Sequence, residues 1–234
     1  MAEPSIAAGS TAVALLDDTI DRNFAATVAA HPDREALVVR HQGIRWTYAE
    51  LDAEVQTLAR ALMASGVRTG DRIGLWSPNR YEWVLAQYAT ARIGAIMVCI
   101  NPAYRTHELS FAVSQSGCSM LLAAPEFKTS DYRAMWAAVA DTCPEARAAV
   151  FFDTDEWQGL LARAGEVSDA EVAERAASLS PDDPINIQFT SGTTGLPKGA
   201  TLTHRNILNN GYFVGEACGY TPEDRVCIPV PFYH

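Results

Sequence analysis

No apolar run in the 234 residues is long enough to span a membrane, and there is no internal repeat or low-complexity tract. The first nineteen residues hold Glu3, Asp17 and Asp18 but neither Lys nor Arg, so the basic start of a secretory signal is missing. Residues 1–18 are therefore expected to form a disordered leader on a cytoplasmic protein. The cysteines, Cys99, Cys118, Cys143, Cys218 and Cys227, are odd in number, widely spaced and free of any CxxC pair. They are expected to be reduced thiols, several of them buried in strands, and not disulfides or metal ligands. A GxGxxG loop is absent too, which leaves a nicotinamide or flavin site without support. Basic surface is scarce. The net charge is −10, and −7 of it falls between Asp153 and Asp183, where nine acids face two arginines. That stretch reads as a solvated surface segment, and the balance argues against a nucleic-acid partner.

What is present is a folded core, with 48% hydrophobic residues and five tryptophans. Residues 19–30 carry helical spacing through Ile20, Phe24 and Val28. Two apolar runs around Gln42-Gly43 predict a hairpin. Thr47 and Glu50 form a capping box ahead of the stripe Leu51, Val55, Leu58 and Leu62, and Gly66 ends that helix. A strand–helix series follows. Strands are expected at 73–76, 95–100, 120–123 and 148–152, and helices at 80–92, 106–115, 130–140 and 168–179. The run AIMVCI lacks alternation, as a parallel strand covered on both faces should. The series predicts an α/β fold with a doubly wound, mostly parallel sheet flanked by helices.

The most informative stretch is INIQFTSGTTGLPKGATLTH, residues 185–204. Ile185, Ile187 and Phe189 alternate with polar residues, the pattern of a half-buried strand, and alternation resumes through Ala200, Leu202 and His204. Between the two strands lies Thr190-Ser191-Gly192-Thr193-Thr194-Gly195-Leu196-Pro197-Lys198-Gly199. Glycines let backbone N–H groups approach a ligand, and the hydroxyls and lysine add donors for phosphate oxygens. The loop is not a Walker loop, because Pro197 precedes Lys198 and Gly199 follows it. A plain turn needs two to five residues, fewer than this string supplies. A polyphosphate is the ligand class that fits. Beyond it, residues 206–217 are expected to be helical, with Ile207, Leu208 and Val214 on the buried side. Residues 221–224 should form a turn, and 226–232 an irregular or edge strand interrupted by prolines.

Residues 190–199 resemble the signature loop of adenylate-forming (AMP-binding) enzymes, which include acyl- and aryl-CoA synthetases, luciferases and amino-acid adenylation domains. The segment INPAYRTHELSFAVSQSG, from Ile100, is similar to acyl-CoA synthetases, although Asn101-Pro102 is read only as a strand terminator. Pro231-Phe232-Tyr233-His234 resembles the P-x-[FY]-H segment of fatty-acyl-CoA synthetases, where amino-acid adenylation domains tend to have Phe-Asp. The resemblance implies ATP, Mg²⁺ and CoA as cofactors or substrates and a fatty acid as the activated carboxylate. It places the β- and γ-phosphates on Thr190, Ser191, Gly192, Thr193, Thr194 and Gly195, with charge from Lys198. Thr190 is implied as the Mg²⁺ contact, and Tyr233 with His234 as the acyl-carboxylate site. On this expectation residues 19–234 are an incomplete N-terminal AMP-binding domain, in which 19–180 form the first sheet region and 185–234 the phosphate-loop hairpin, a helix and the start of the acyl site. The C-terminal lid domain and its adenylation lysine are expected to be absent, and the chain alone to be inactive. An aryl-acid or luciferase-like adenylating enzyme, and a non-catalytic nucleotide- or acyl-binding module, remain as alternatives.

Overall fold

The computed structural model describes residues 12–190 and 197–233. Helix α1 (Ile20–Ala30) starts at Thr19, whose hydroxyl accepts the Arg22 N–H. Strands β1 (Glu35–Val39) and β2 (Ile44–Thr47) pair antiparallel around Gly43, whose φ of 69° is a turn conformation that glycine adopts without strain. The Thr47–Glu50 capping box is present and opens α2 (Tyr48–Ala64), which buries Leu51, Val55, Leu58 and Leu62 as one stripe. Then β3 (Arg72–Trp76), α3 (Tyr81–Arg92), β4 (Ile96–Ile100), α4 (Thr106–Ser116) and β5 (Cys118–Ala123) alternate. A two-stranded ribbon, β6 (Glu126–Phe127) with β7 (Ser130–Asp131), leads into α5 (Tyr132–Ala137). Strand β8 (Ala148–Phe151), α6 (Asp155–Ala162) and α7 (Asp169–Ala177) complete this half. Last come β9 (Pro184–Thr190), β10 (Lys198–Thr203) and α8 (His204–Cys218).

Six strands form one sheet in the order β10-β9-β4-β3-β5-β8. All neighbours are parallel except β9 and β10, which are antiparallel. The hairpin that flanks the expected phosphate loop is thus built onto the main sheet through β4. Strand β4 is buried at every residue, as its unbroken apolar run predicts. Cys99, Cys118 and Cys143 are buried, whereas Cys218 and Cys227 are exposed; all five are free thiols.

Several expectations need correction. A helix was expected over 130–140, but Ser130–Asp131 is strand, and the Asp131 carboxylate caps the Ala134 N–H so that α5 begins only at Tyr132. Helix α6 was not foreseen. Strand β9 is not simply half-buried: Ile185 and Asn186 are both buried, because α3 covers the polar side and the Gln87 amide hydrogen-bonds the Asn186 amide in both directions. His204 does not continue the alternation of β10. The Thr203–Asn206 capping box turns the chain into α8 at that point. Val214 is half exposed, since α8 buries His204 and Asn209 in its first two turns and leaves its later turns uncovered. Residues 226–232 form no regular strand, and Val226, Ile228 and Val230 are half exposed.

Residues 1–11 of the expected leader lie outside the described residues. From Leu16 onward the chain is tied to α8. The Leu16 N–H donates to Asn209 Oδ1 (2.7 Å), Asn209 Nδ2 donates back to Leu16 O (3.0 Å), and Asp17 pairs with Arg205 at 2.8 Å. The Ile20 N–H, one of the unpaired donors at the start of α1, is taken by His204 Nδ1 at 3.2 Å. A buried ion pair joins α3 to α1 and α2, with Arg92 donating to Asp21 and Asp52 at 2.6 Å each.

Candidate functional site

Strands β3, β4, β5, β8 and β9 are parallel, so their carboxyl ends open on one edge of the sheet. In open α/β sheets ligands bind outside that edge. Thr190 is the last residue of β9 and Lys198 the first of β10, and the two are cross-strand partners. The Thr190 hydroxyl donates to Lys198 O at 3.4 Å. The antiparallel pairing therefore closes the expected phosphate loop at its base. Both side chains are exposed, and Lys198 makes no ion pair with any described residue. Its charge is available to an anion. Ser191, Gly192, Thr193, Thr194 and Gly195 lie outside the described residues.

Gly199, next to Lys198, lies over the Phe189 and Ile187 side chains. A Cβ there would come within 2.9 Å of Ile187 Cγ2, so the hairpin's close packing admits only glycine without a shift. Phe189 in turn meets Phe111 of α4 edge-on, with ring centroids 6.4 Å apart. The loop thus springs from a hairpin packed against the rest of the sheet.

The second expected part of the site reaches the same edge. Residues 77–80 follow β3, and Asn79 in that turn holds residues 230–232. Its Nδ2 donates to Val230 O at 2.8 Å, and its Oδ1 accepts the Phe232 N–H at 2.7 Å. Phe232 packs on Trp83 of α3, ring centroids 5.3 Å apart, and Tyr233 packs against the core. Trp83 Nε1 is buried and has no hydrogen-bond partner among the described residues. Strands β3 and β9 are separated by β4 alone, two strand spacings or about 10 Å. Thr190 and Lys198 at the end of the β9–β10 hairpin and the segment held by Asn79 beyond β3 therefore lie on the same edge of the sheet; His234 lies outside the described residues. Asn101 behaves as a strand terminator, its side chain accepting the Ala103 N–H at 2.8 Å.

Among the described residues no three His, Cys, Asp or Glu side chains come together to hold a metal. Thr190 offers one neutral oxygen. That suits a Mg²⁺ ion that keeps most of its ligands as water and phosphate oxygens, and no site that must bind metal by itself. His204 is not part of this edge. It is fully buried at the start of α8, and burial pushes its imidazole down to about 4. With Nδ1 accepting the Ile20 N–H it is a neutral structural group. Asn79 was missed in the sequence. The available signal was its place in a loop just past a buried parallel strand.

A family model described as AMP-binding enzyme matches residues 24–234. The medium-chain acyl-CoA ligase ACSF2, mitochondrial, of Danio rerio is 41% identical, with 94% of this chain aligned to 40% of that protein. The putative acyl-CoA synthetase YngI of Bacillus subtilis is 37% identical, over 94% of this chain and 44% of its own length. The inhibitor-bound N-terminal domain of FACL13 from Mycobacterium tuberculosis superposes with a TM-score of 0.78 at 27% identity, covering 94% of this chain and 52% of that one. Archaeoglobus fulgidus FadD1, a long-chain-fatty-acid-CoA ligase, shares the fold at a TM-score of 0.82 and 21% identity, over 98% and 45% of the two chains. The chain spans about 40% of the length of the ACSF2 relatives it matches. No helix among the described residues is long and apolar enough to cross a membrane. With its loop, its sheet and a family match running from Phe24 to the last residue, the chain belongs to the AMP-binding enzyme family.

Proposed function

We propose that this chain is the N-terminal part of a fatty-acid–CoA ligase, and that it supplies the ATP-phosphate site and one wall of the acid site. The carrying observation is the hairpin pairing that sets Thr190 opposite Lys198 on the carboxyl edge of the sheet. A carboxylate is a poor electrophile. Attack of its oxygen on the α-phosphorus of ATP releases pyrophosphate and gives an acyl-adenylate, a mixed anhydride with a good leaving group. The thiol of CoA then displaces AMP to form the thioester. Charge that builds on the phosphates needs positioned donors, and phosphoryl chemistry rests mainly on such electrostatics.

In this reading residues 190–195 hold the β- and γ-phosphates through hydroxyl and backbone N–H donors, and Lys198 adds positive charge. Thr190 gives its hydroxyl oxygen to Mg²⁺, which when bound neutralises phosphate charge. Tyr233 and His234 orient the acid. A fatty acid is favoured because Tyr233, and no aspartate for an ammonium group, follows Phe232, and because several relatives carry the name medium-chain acyl-CoA ligase. Acid-dependent hydroxamate formation, trapped with hydroxylamine over a series of fatty and aromatic acids, tests it in the protein that carries this chain. Fatty acids should give the product. A response confined to aromatic acids, or to none, overturns the assignment.

A further inference from the structure

The segment that delivers Tyr233 to the sheet edge is held by few contacts. At its start, Arg34 donates to Pro222 O (2.6 Å) and pairs with Glu223 (2.8 Å), and Arg225 pairs with Glu35 (3.3 Å). Glu223 and Arg225 are well exposed, and such pairs hold a chain weakly. Between these contacts and Phe232, the side chains of Val226, Ile228 and Val230 are each more than half exposed, so little apolar burial fixes the path. Besides the packing of Phe232 on Trp83 and of Tyr233 against the core, one amide holds the segment's backbone. Asn79 engages Val230 O and the Phe232 N–H together, as a neighbouring strand would, on either side of Pro231, which has no N–H to give.

The amide sits on a rigid base. Ser77 Oγ donates to Pro78 O (2.9 Å). The next residue, Arg80, is pinned between Glu82, whose side chain is fully buried, and Asp153, at 2.7 Å each. The backbone that carries Asn79 is thus anchored on both sides.

We propose that Asn79 is a positioning residue for the acid side of the site: its amide clasps the backbone on both sides of Pro231 and thereby sets where Phe232 and Tyr233 stand on the sheet edge that also carries Thr190 and Lys198. This rests on the reading of Pro231–His234 given under Proposed function. The Asn79 side chain itself touches no reacting atom. Its effect should fall on the acyl part of the ligand and leave the triphosphate alone, a split that general unfolding would not produce.

The test is calorimetric titration of the wild-type protein, Asn79→Ala and Asn79→Asp with two probes: ATP, and the sulfamate analogue of a medium-chain acyl-adenylate. Loss of two hydrogen bonds should weaken the analogue by about tenfold to a hundredfold in Asn79→Ala. ATP affinity should stay within about twofold. Asn79→Asp keeps an acceptor for the Phe232 N–H but sets a carboxylate oxygen against Val230 O where the amide donated, so it should weaken the analogue at least as much as Asn79→Ala; it also carries the test should the alanine variant fail to fold. Hydrogen exchange at the Phe232 amide should be slow in the wild type and fast in Asn79→Ala. Unchanged analogue affinity in both variants, or equal losses for ATP and analogue, overturns the inference. A wild type that binds ATP but not the analogue removes the acid-site reading, and one that binds neither removes the whole assignment; in both cases the inference falls with it.

Discussion

Replacing His204 by asparagine should flatten the pH dependence of folding between pH 5 and 8. His204 is fully buried, with Nδ1 engaged by the Ile20 N–H and no partner for Nε2 among the described residues. Burial lowers its pKa from 6.5 to about 4; the nearby Asp183 and Asp18 carboxylates offset part of that, and the Arg22 charge adds to it. The unfolded chain therefore binds a proton at this residue more readily than the folded one. Stability is greatest above pH 6.5, falls as the pH drops through that value, and levels off below about 4. With about 1.4 kcal/mol per pH unit of difference, the full loss is about 3 kcal/mol, of which about 2 kcal/mol is gone by pH 5. Asparagine keeps an acceptor near Nδ1 and cannot titrate. Urea unfolding at pH 5, 6, 7 and 8, followed by tryptophan fluorescence, should show the wild type losing stability towards pH 5 and the variant losing about 2 kcal/mol less. His31, His41 and His107 are exposed and common to both proteins, so the difference isolates His204. Parallel curves for the two proteins would refute the argument.

Arg92→Ala strands Asp21 and Asp52 beside an empty site and should cost about 3–5 kcal/mol in urea unfolding; a loss below 1 kcal/mol would show that the ion pair is not buried as described. Native protein should expose two thiols to a thiol-specific dye, Cys218 and Cys227, and five after unfolding, because burial also pushes Cys99 and Cys118 up to about 12. Gly199→Val should weaken ATP binding with little loss of global stability, since its side chain collides with Ile187 in an edge hairpin; unchanged ATP affinity in a folded variant would contradict the close packing.

The strands of the main sheet were legible because each is a short apolar run bounded by turn residues, and β4 announced its burial on both faces by having no polar residue. The helix α2 was legible through its capping box and its four-residue stripe. Helix α6 was not, because Gly159 and two leading acids mask the spacing of Trp157 and Leu160, the residues it buries. The end of β10 was misread because His204 extends the strand's alternation while its capping residues, Thr203 and Asn206, already belong to the helix. Lys198 and Gly199 read as loop residues because alternation resumes only at Ala200; the structure starts β10 at Lys198 and pairs it with Thr190. The Asn79 clasp was not legible. It joins residues 151 and 153 positions apart, and no local pattern encodes such a contact.

In the proposed function the β9–β10 hairpin holds the phosphates of ATP, with Lys198 as its charge. Calorimetric titration of ATP into the wild-type protein and into Lys198→Ala tests it most directly. The wild type should bind saturably, and the variant with an affinity lower by about tenfold to a thousandfold, the range for removing one charge-stabilising donor. Equal affinity in the two proteins would contradict it, and so would a wild type that does not bind ATP.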